Sequence, residues 1–197
     1  MKLFKFLIIF GIVLFPGIKG CNHTNKSNIV KLDCSSFSRF TKVPGTPNIK
    51  LVSSRCSNDY QFKKEVVKSA LDVFVNEYSE SFDVSESLVW ENLRDLKIEV
   101  SIIPRTVHAA FDINGNFLED QVAVNGLAFS QDHIWVEIKT SQIWSSALIH
   151  ELVHVIIWRQ NKVHGDPDHE GEKFSGWTQK HTKLIKRVNN ILLEAEI

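Results

Sequence analysis

Neither sign of charge is in excess in this chain: 23 Lys and Arg stand against 23 Asp and Glu, a formal net charge of zero at pH 7. Binding to nucleic acid or to an anionic surface rests on a basic excess, so that absence removes the electrostatic argument for either partner. No run of like charges and no internal repeat is present. Cysteine is scarce, at three residues. The apolar run at the N-terminus, Phe6 to Phe15, covers about ten residues, half of the roughly twenty that a membrane-spanning helix needs. What is there is globular. With 43% hydrophobic and 23% charged residues among 197, the chain suits one domain with a workable core rather than a disordered segment.

Lys2 and Lys5 ahead of Phe6–Phe15 form a basic region followed by an apolar one, so residues 1–20 read as a signal peptide that lies outside the fold. Ile18-Lys19-Gly20-Cys21 follows. A small residue before a Cys, just after such an apolar region, resembles the lipobox of bacterial lipoproteins. The resemblance implies cleavage before Cys21 and lipid on that residue. It also implies an exported chain anchored to the bacterial cell envelope, on its periplasmic or cell-surface face. An ordinary signal peptide cleaved after Gly20 is the alternative, and export follows either way. Cys34 and Cys56 then remain as an even pair in an oxidising compartment. They are expected to form a disulfide closing a loop of about twenty residues, with two free thiols as the alternative. Residues 21–57 are rich in Ser, Thr, Asn and Lys and contain the turn Pro44-Gly45-Thr46-Pro47. They are expected to be a lipidated tether and a disulfide-stapled, loop-rich entry to a domain at 58–197.

Within that domain, Ser57-Asn58-Asp59 can cap a helix to about Glu80, with Phe62, Val66, Ala70, Phe74 and Tyr78 at helical spacing. A shorter helix is expected over Ser85 to Leu96, with Leu88 and Leu93 inward. Lys97 to Arg105 alternates and is β-branched, as a strand ending near Pro104 would be. Asp112-Ile113-Asn114-Gly115-Asn116 reads as a turn between two extended pieces. It is no calcium loop, since Phe117 and Ala123 stand where the required Gly and Glu would be. Two short strands around Ser130-Gln131-Asp132 fill Val122 to Ile138. A helix capped by Thr140 or Ser141 then runs to about Asn161, and a last helix, capped by Thr178, runs to about Glu196 with Leu184, Val188, Ile191 and Leu192 inward.

The chemistry concentrates in Leu148-Ile149-His150-Glu151-Leu152-Val153-His154. On a helix, His150 and His154 lie one turn apart on one face and can bind one metal ion. Zn2+ accepts two imidazoles readily, and Glu151 is placed to act as general base on a water activated there. A chance H-E-x-x-H is expected in roughly one chain in fifty of this composition, so a metal site is the stronger reading and a coincidence on a buried helix the weaker. Because the chain is expected to be exported, its cysteines are poor candidates for ligands. The metzincin pattern is excluded, since Ile157 and Gln160 replace its Gly and third His.

A catalytic zinc site takes three protein ligands and a water. Glu170 and Glu172 precede the last helix, and Glu194 is too far along it. His164-Gly165-Asp166-Pro167-Asp168-His169-Glu170-Gly171 supplies two further imidazoles. A strand leading into an H-E-x-x-H helix, followed by Trp158 four residues after His154 and by these His-containing segments, resembles the SprT-like zinc peptidases among the zincins. The resemblance covers roughly residues 130–180. It implies a compact zincin-like α+β fold: a small, mostly antiparallel sheet, an active-site helix and packing helices. It also implies a His third ligand and an edge strand on which an extended peptide can pair. His169, flanked by Asp168 and Glu170, is favoured, with His164 as the alternative. His181, in the first turn of the last helix, is a candidate donor to an oxyanion, or simply an exposed helix residue. His108 and His133 read as structural.

Together these features point to a membrane-anchored, extracytoplasmic zinc peptidase acting on a peptide or protein substrate, with no nucleic-acid partner. The opposing reading is a non-catalytic lipoprotein binding module with a structural metal site, closed by His164 and His169 together. Hydrolysis of a non-peptide amide would use the same residues. Oligomeric state is not legible.

Overall fold

The patterns K-I-E-V-S at Lys97–Ser101 and H-I-W-V-E at His133–Glu137 send alternate side chains to opposite faces of a sheet. Ile98, Val100, Ile134 and Val136 enter the main core, while Glu99, Ser101, Trp135 and Glu137 are buried on the other face. The computed structural model describes residues 28–32, 40–52, 60–108, 121–161 and 176–197. The first strands are β1 (Ile29–Lys31), β2 (Phe40–Lys42), β3 (Lys50–Val52) and β4 (Tyr60–Phe62). Helices α1 (Lys64–Phe82) and α2 (Glu86–Asn92) follow, then β5 (Lys97–Ser101), β6 (Arg105–His108), β7 (Gln121–Val124), β8 (Gly126–Ser130) and β9 (His133–Glu137). A short 3-10 turn at Ile143–Ser145 leads into α3 (Leu148–Asn161), and α4 (Gln179–Glu194) completes the described chain.

The central sheet has the order β2-β3-β5-β9-β8. Its inner pairs, β3–β5 and β5–β9, are parallel, and its outer pairs, β2–β3 and β8–β9, are antiparallel. Two antiparallel ribbons, β1–β4 and β6–β7, stand beside it. The α+β class expected from the sequence is thus the class of the fold. Leu71 and Phe74 of α1, Ile149 and Leu152 of α3, and Leu184 and Val188 of α4 share one core with the inner strands. On the far face, Glu99 pairs with Arg105, and His133 Nε2 lies 3.3 Å from Glu99 Oε2. The Arg105 guanidinium lies over the Phe129 and Trp135 rings, at 5.3 and 5.0 Å.

Several boundaries differ from the sequence reading. The first helix starts at Lys64 rather than after Ser57-Asn58-Asp59, because Phe62 belongs to β4 and pairs with Ile29. α2 ends at Asn92 rather than Leu96 and is capped by Ser85, whose Oγ accepts the Leu88 N–H; Leu93 is buried as expected, but Leu88 is exposed and Val89 takes the inward place. The strand from Lys97 stops at Ser101, where Ser101 Oγ accepts the Ile103 N–H at 2.9 Å and bends the chain before Pro104. Thr140 does not cap α3: its Oγ1 accepts the Gln142 N–H just ahead of the 3-10 turn, and the Leu148 N–H of α3 donates to Ser146 Oγ at 3.2 Å. Two strands of the central sheet, β2 and β3, come from the 21–57 stretch expected to be loop-rich. Three-residue strands carry too little alternation to be seen from sequence.

Candidate metal centre

α3 is buried along most of its length. Leu148, Ile149, Leu152, Val153, Val155, Ile156 and Ile157 are all in the core, so packing rather than helix propensity holds it. His150, His154 and Trp158, four residues apart, form the stripe that stays half-buried. The helix therefore points both imidazoles to one side, and their Nε2 atoms lie 3.1 Å apart. Two nitrogens at that separation either share a proton or face one cation. Ligands about 2.0–2.1 Å from zinc at near-tetrahedral angles are roughly 3.1–3.4 Å apart. The donor pair therefore fits the ion.

Beside them, Trp177 packs its ring against both imidazoles, with centroids 5.2 Å from His150 and 4.9 Å from His154. Its Nε1–H donates to Thr182 Oγ1 at 3.2 Å. Gly176 makes that placement possible. It has φ of 120°, and a Cβ there would lie 2.1 Å from Asn161 Nδ2 and 2.8 Å from Ile157 Cγ2. Nothing periodic marks Gly176 or Trp177 in the sequence, and only the long-range contact with α3 reveals them.

Glu151 is 4% exposed. Burial pushes its carboxyl up to about 8, against a smaller downward pull from the Ala128 backbone N–H. That contact places the carboxyl against β8, which ends the sheet among the described residues. The Glu137 N–H donates to the Asn125 carbonyl at 2.8 Å. By the alternation of an antiparallel ladder, the main-chain groups of Gly126 and Ala128 therefore turn away from β9 toward the open edge.

His181 is buried rather than exposed on its helix. Its Nδ1 accepts the Thr178 N–H at 3.0 Å, and its ring stacks on Phe82 at 4.4 Å. With Nδ1 accepting, the neutral ring carries its proton on Nε2 and is a donor there. Burial lowers its pKa to about 4, so it remains neutral through the physiological range. Its ring centroid is 5.8 Å from that of Trp177, which joins it to the histidine pair.

The structure thus brings together His150, Glu151 and His154, with His181 one aromatic ring away. Among the described residues no set of three His, Cys, Asp or Glu ligands is complete. The third-ligand candidates His164 and His169 lie outside the described residues, as do Cys21, Cys34, Cys56 and residues 1–20. Compared with known proteins, the chain matches no family model, no curated protein and no solved structure.

Proposed function

We propose that this protein is a zinc-dependent peptidase in which His150 and His154, with His169 or His164, hold the ion. The observation that carries this reading is the convergence of the two Nε2 atoms at 3.1 Å next to a buried carboxyl at a sheet edge. Zinc bound there supplies a Lewis acid, which acidifies water and draws charge from a carbonyl oxygen. An extended peptide pairs with the open edge of β8, which is antiparallel to its neighbour, and so runs alongside α3. A cation at the histidine pair favours the ionised form of Glu151. Glu151 takes a proton from the attacking water as the new C–O bond forms, and delivers it to the amide nitrogen as the C–N bond breaks. The neutral His181 offers its Nε2–H to the developing oxyanion.

Glu151→Gln keeps the size of the side chain and removes the base. In the full chain, assayed on a mixture of quenched-fluorescent peptides, it is expected to lower turnover by about two to four orders of magnitude while retaining zinc. Turnover at the wild-type rate in this variant would end the mechanism.

A further inference from the structure

We propose that Gly126 is a positioning residue for Glu151, an inference whose catalytic consequence rests on the peptidase reading above. A Cβ on Gly126 would lie 2.4 Å from Glu151 Oε1, 2.8 Å from Glu151 Cγ and 2.6 Å from the Ala147 Cβ. Carbon contacts sit near 3.5–4.0 Å, so each of these is a collision. The obstruction is steric alone, because positive φ among the described glycines is confined to Gly45 and Gly176. Alanine would suit the Gly126 backbone and fail only on what lies above it.

A flexible carboxylate at a surface would swing aside. Glu151 has no such freedom: its side chain is buried, with Leu148, Leu152 and Val155 packed around the same helix. β8 contributes two things at one spot. Ala128 presents an N–H toward the carboxyl, and Gly126, two residues earlier on the same side of the strand, leaves the volume the carboxyl fills. The edge strand that would receive a peptide therefore also fixes where the base stands. A side chain at position 126 moves the carboxyl by about 1 Å or more, a displacement that typically costs on the order of a hundredfold in rate.

The test is Gly126→Ala in the full chain, measured in two ways. On the quenched-fluorescent peptide mixture, kcat is expected to fall on the order of tenfold to a hundredfold, with zinc content unchanged and KM altered much less. Urea unfolding of Gly126→Ala, Glu151→Ala and the double variant forms the second measurement. The unfolding constant is expected to rise at least about fivefold more in the wild-type background than in Glu151→Ala, because the two Glu151 contacts are gone in the latter and only the one with the Ala147 Cβ remains. An equal cost in both backgrounds, or an unchanged kcat, overturns the proposal. If Gly126→Ala does not fold, recovery of folding in the double variant supports it; failure of the double variant where Glu151→Ala folds contradicts it, since Ala147 rather than Glu151 then sets the cost. The unfolding cycle reads the contact whether or not the chain cuts peptides. Coupling in an inactive wild type would remove the peptidase reading alone, and activity without coupling would remove Gly126's role alone.

Discussion

Burial acts on Glu151 and His181 with opposite sign in the metal-free chain. The Glu151 carboxyl rises from 4.5 to about 8, so the folded state holds its proton where the unfolded chain has lost it. Its contribution to stability is present below about pH 4.5 and is lost as pH rises through about 8. The His181 pKa falls from 6.5 to about 4, so its contribution is present above about pH 6.5 and is lost as pH falls through about 4. Between these two unfolded values the proton slopes of the pair offset each other. Above about pH 6.5 Glu151 alone of the two acts, at up to about 1.4 kcal/mol per pH unit. Urea unfolding of metal-free protein is therefore expected to show stability falling from pH 6.5 to 8, with a clearly smaller fall in Glu151→Gln. The same slope in both proteins would mean that Glu151 is not the group responsible. At this scale His150, Glu151 and His154 were legible because helix geometry alone fixes an i, i+4 pair. Gly126, Gly176 and Trp177 were not, since each acts through a neighbour far away in sequence. His181 was found as a donor candidate, but its burial and its bond to the Thr178 N–H come from packing.

Among the elements, those with sustained helical periodicity were readable and those made by pairing were not. α3 ends at Asn161 and α4 follows Thr178, as their patterns required. The start of α1 was displaced because β4 takes its first turn, and a three-residue strand exists only by virtue of β1. Arg159 shows what then locks elements together. From the end of α3 its guanidinium donates to the carbonyls of Gln131 at 2.8 Å, Arg94 at 2.7 Å and Glu91 at 3.4 Å. One planar fork thus ties α3 to the end of α2 and to the β8–β9 turn. Arg159→Ala is expected to lower stability by about 1–2 kcal/mol in urea unfolding. Arg159→Lys should recover little of it, because a single ammonium cannot span three acceptors. Full recovery by Lys would show that charge, not geometry, is what Arg159 supplies.

For the molecule as a whole, the α+β class followed from strands and helices that could each be placed in sequence, but the sheet order could not. Parallel pairing joins β3 to β5 across two helices and β5 to β9 across three intervening strands, and nothing local encodes it. That order is what sets β8 at an edge beside α3, and so what brings the buried Glu151 carboxyl and the histidine pair next to an open strand edge. The metal pair is the central element of that arrangement, and zinc content by elemental analysis tests it most directly. Full-chain protein purified with zinc supplied is compared with His154→Ala, His164→Ala and His169→Ala. About one zinc per chain is expected in the wild type, lost in His154→Ala and in one of His164→Ala and His169→Ala, with the latter favoured. A wild type without zinc, or a His154→Ala that keeps it, would contradict the metal site and leave H-E-x-x-H as a coincidence on a buried helix.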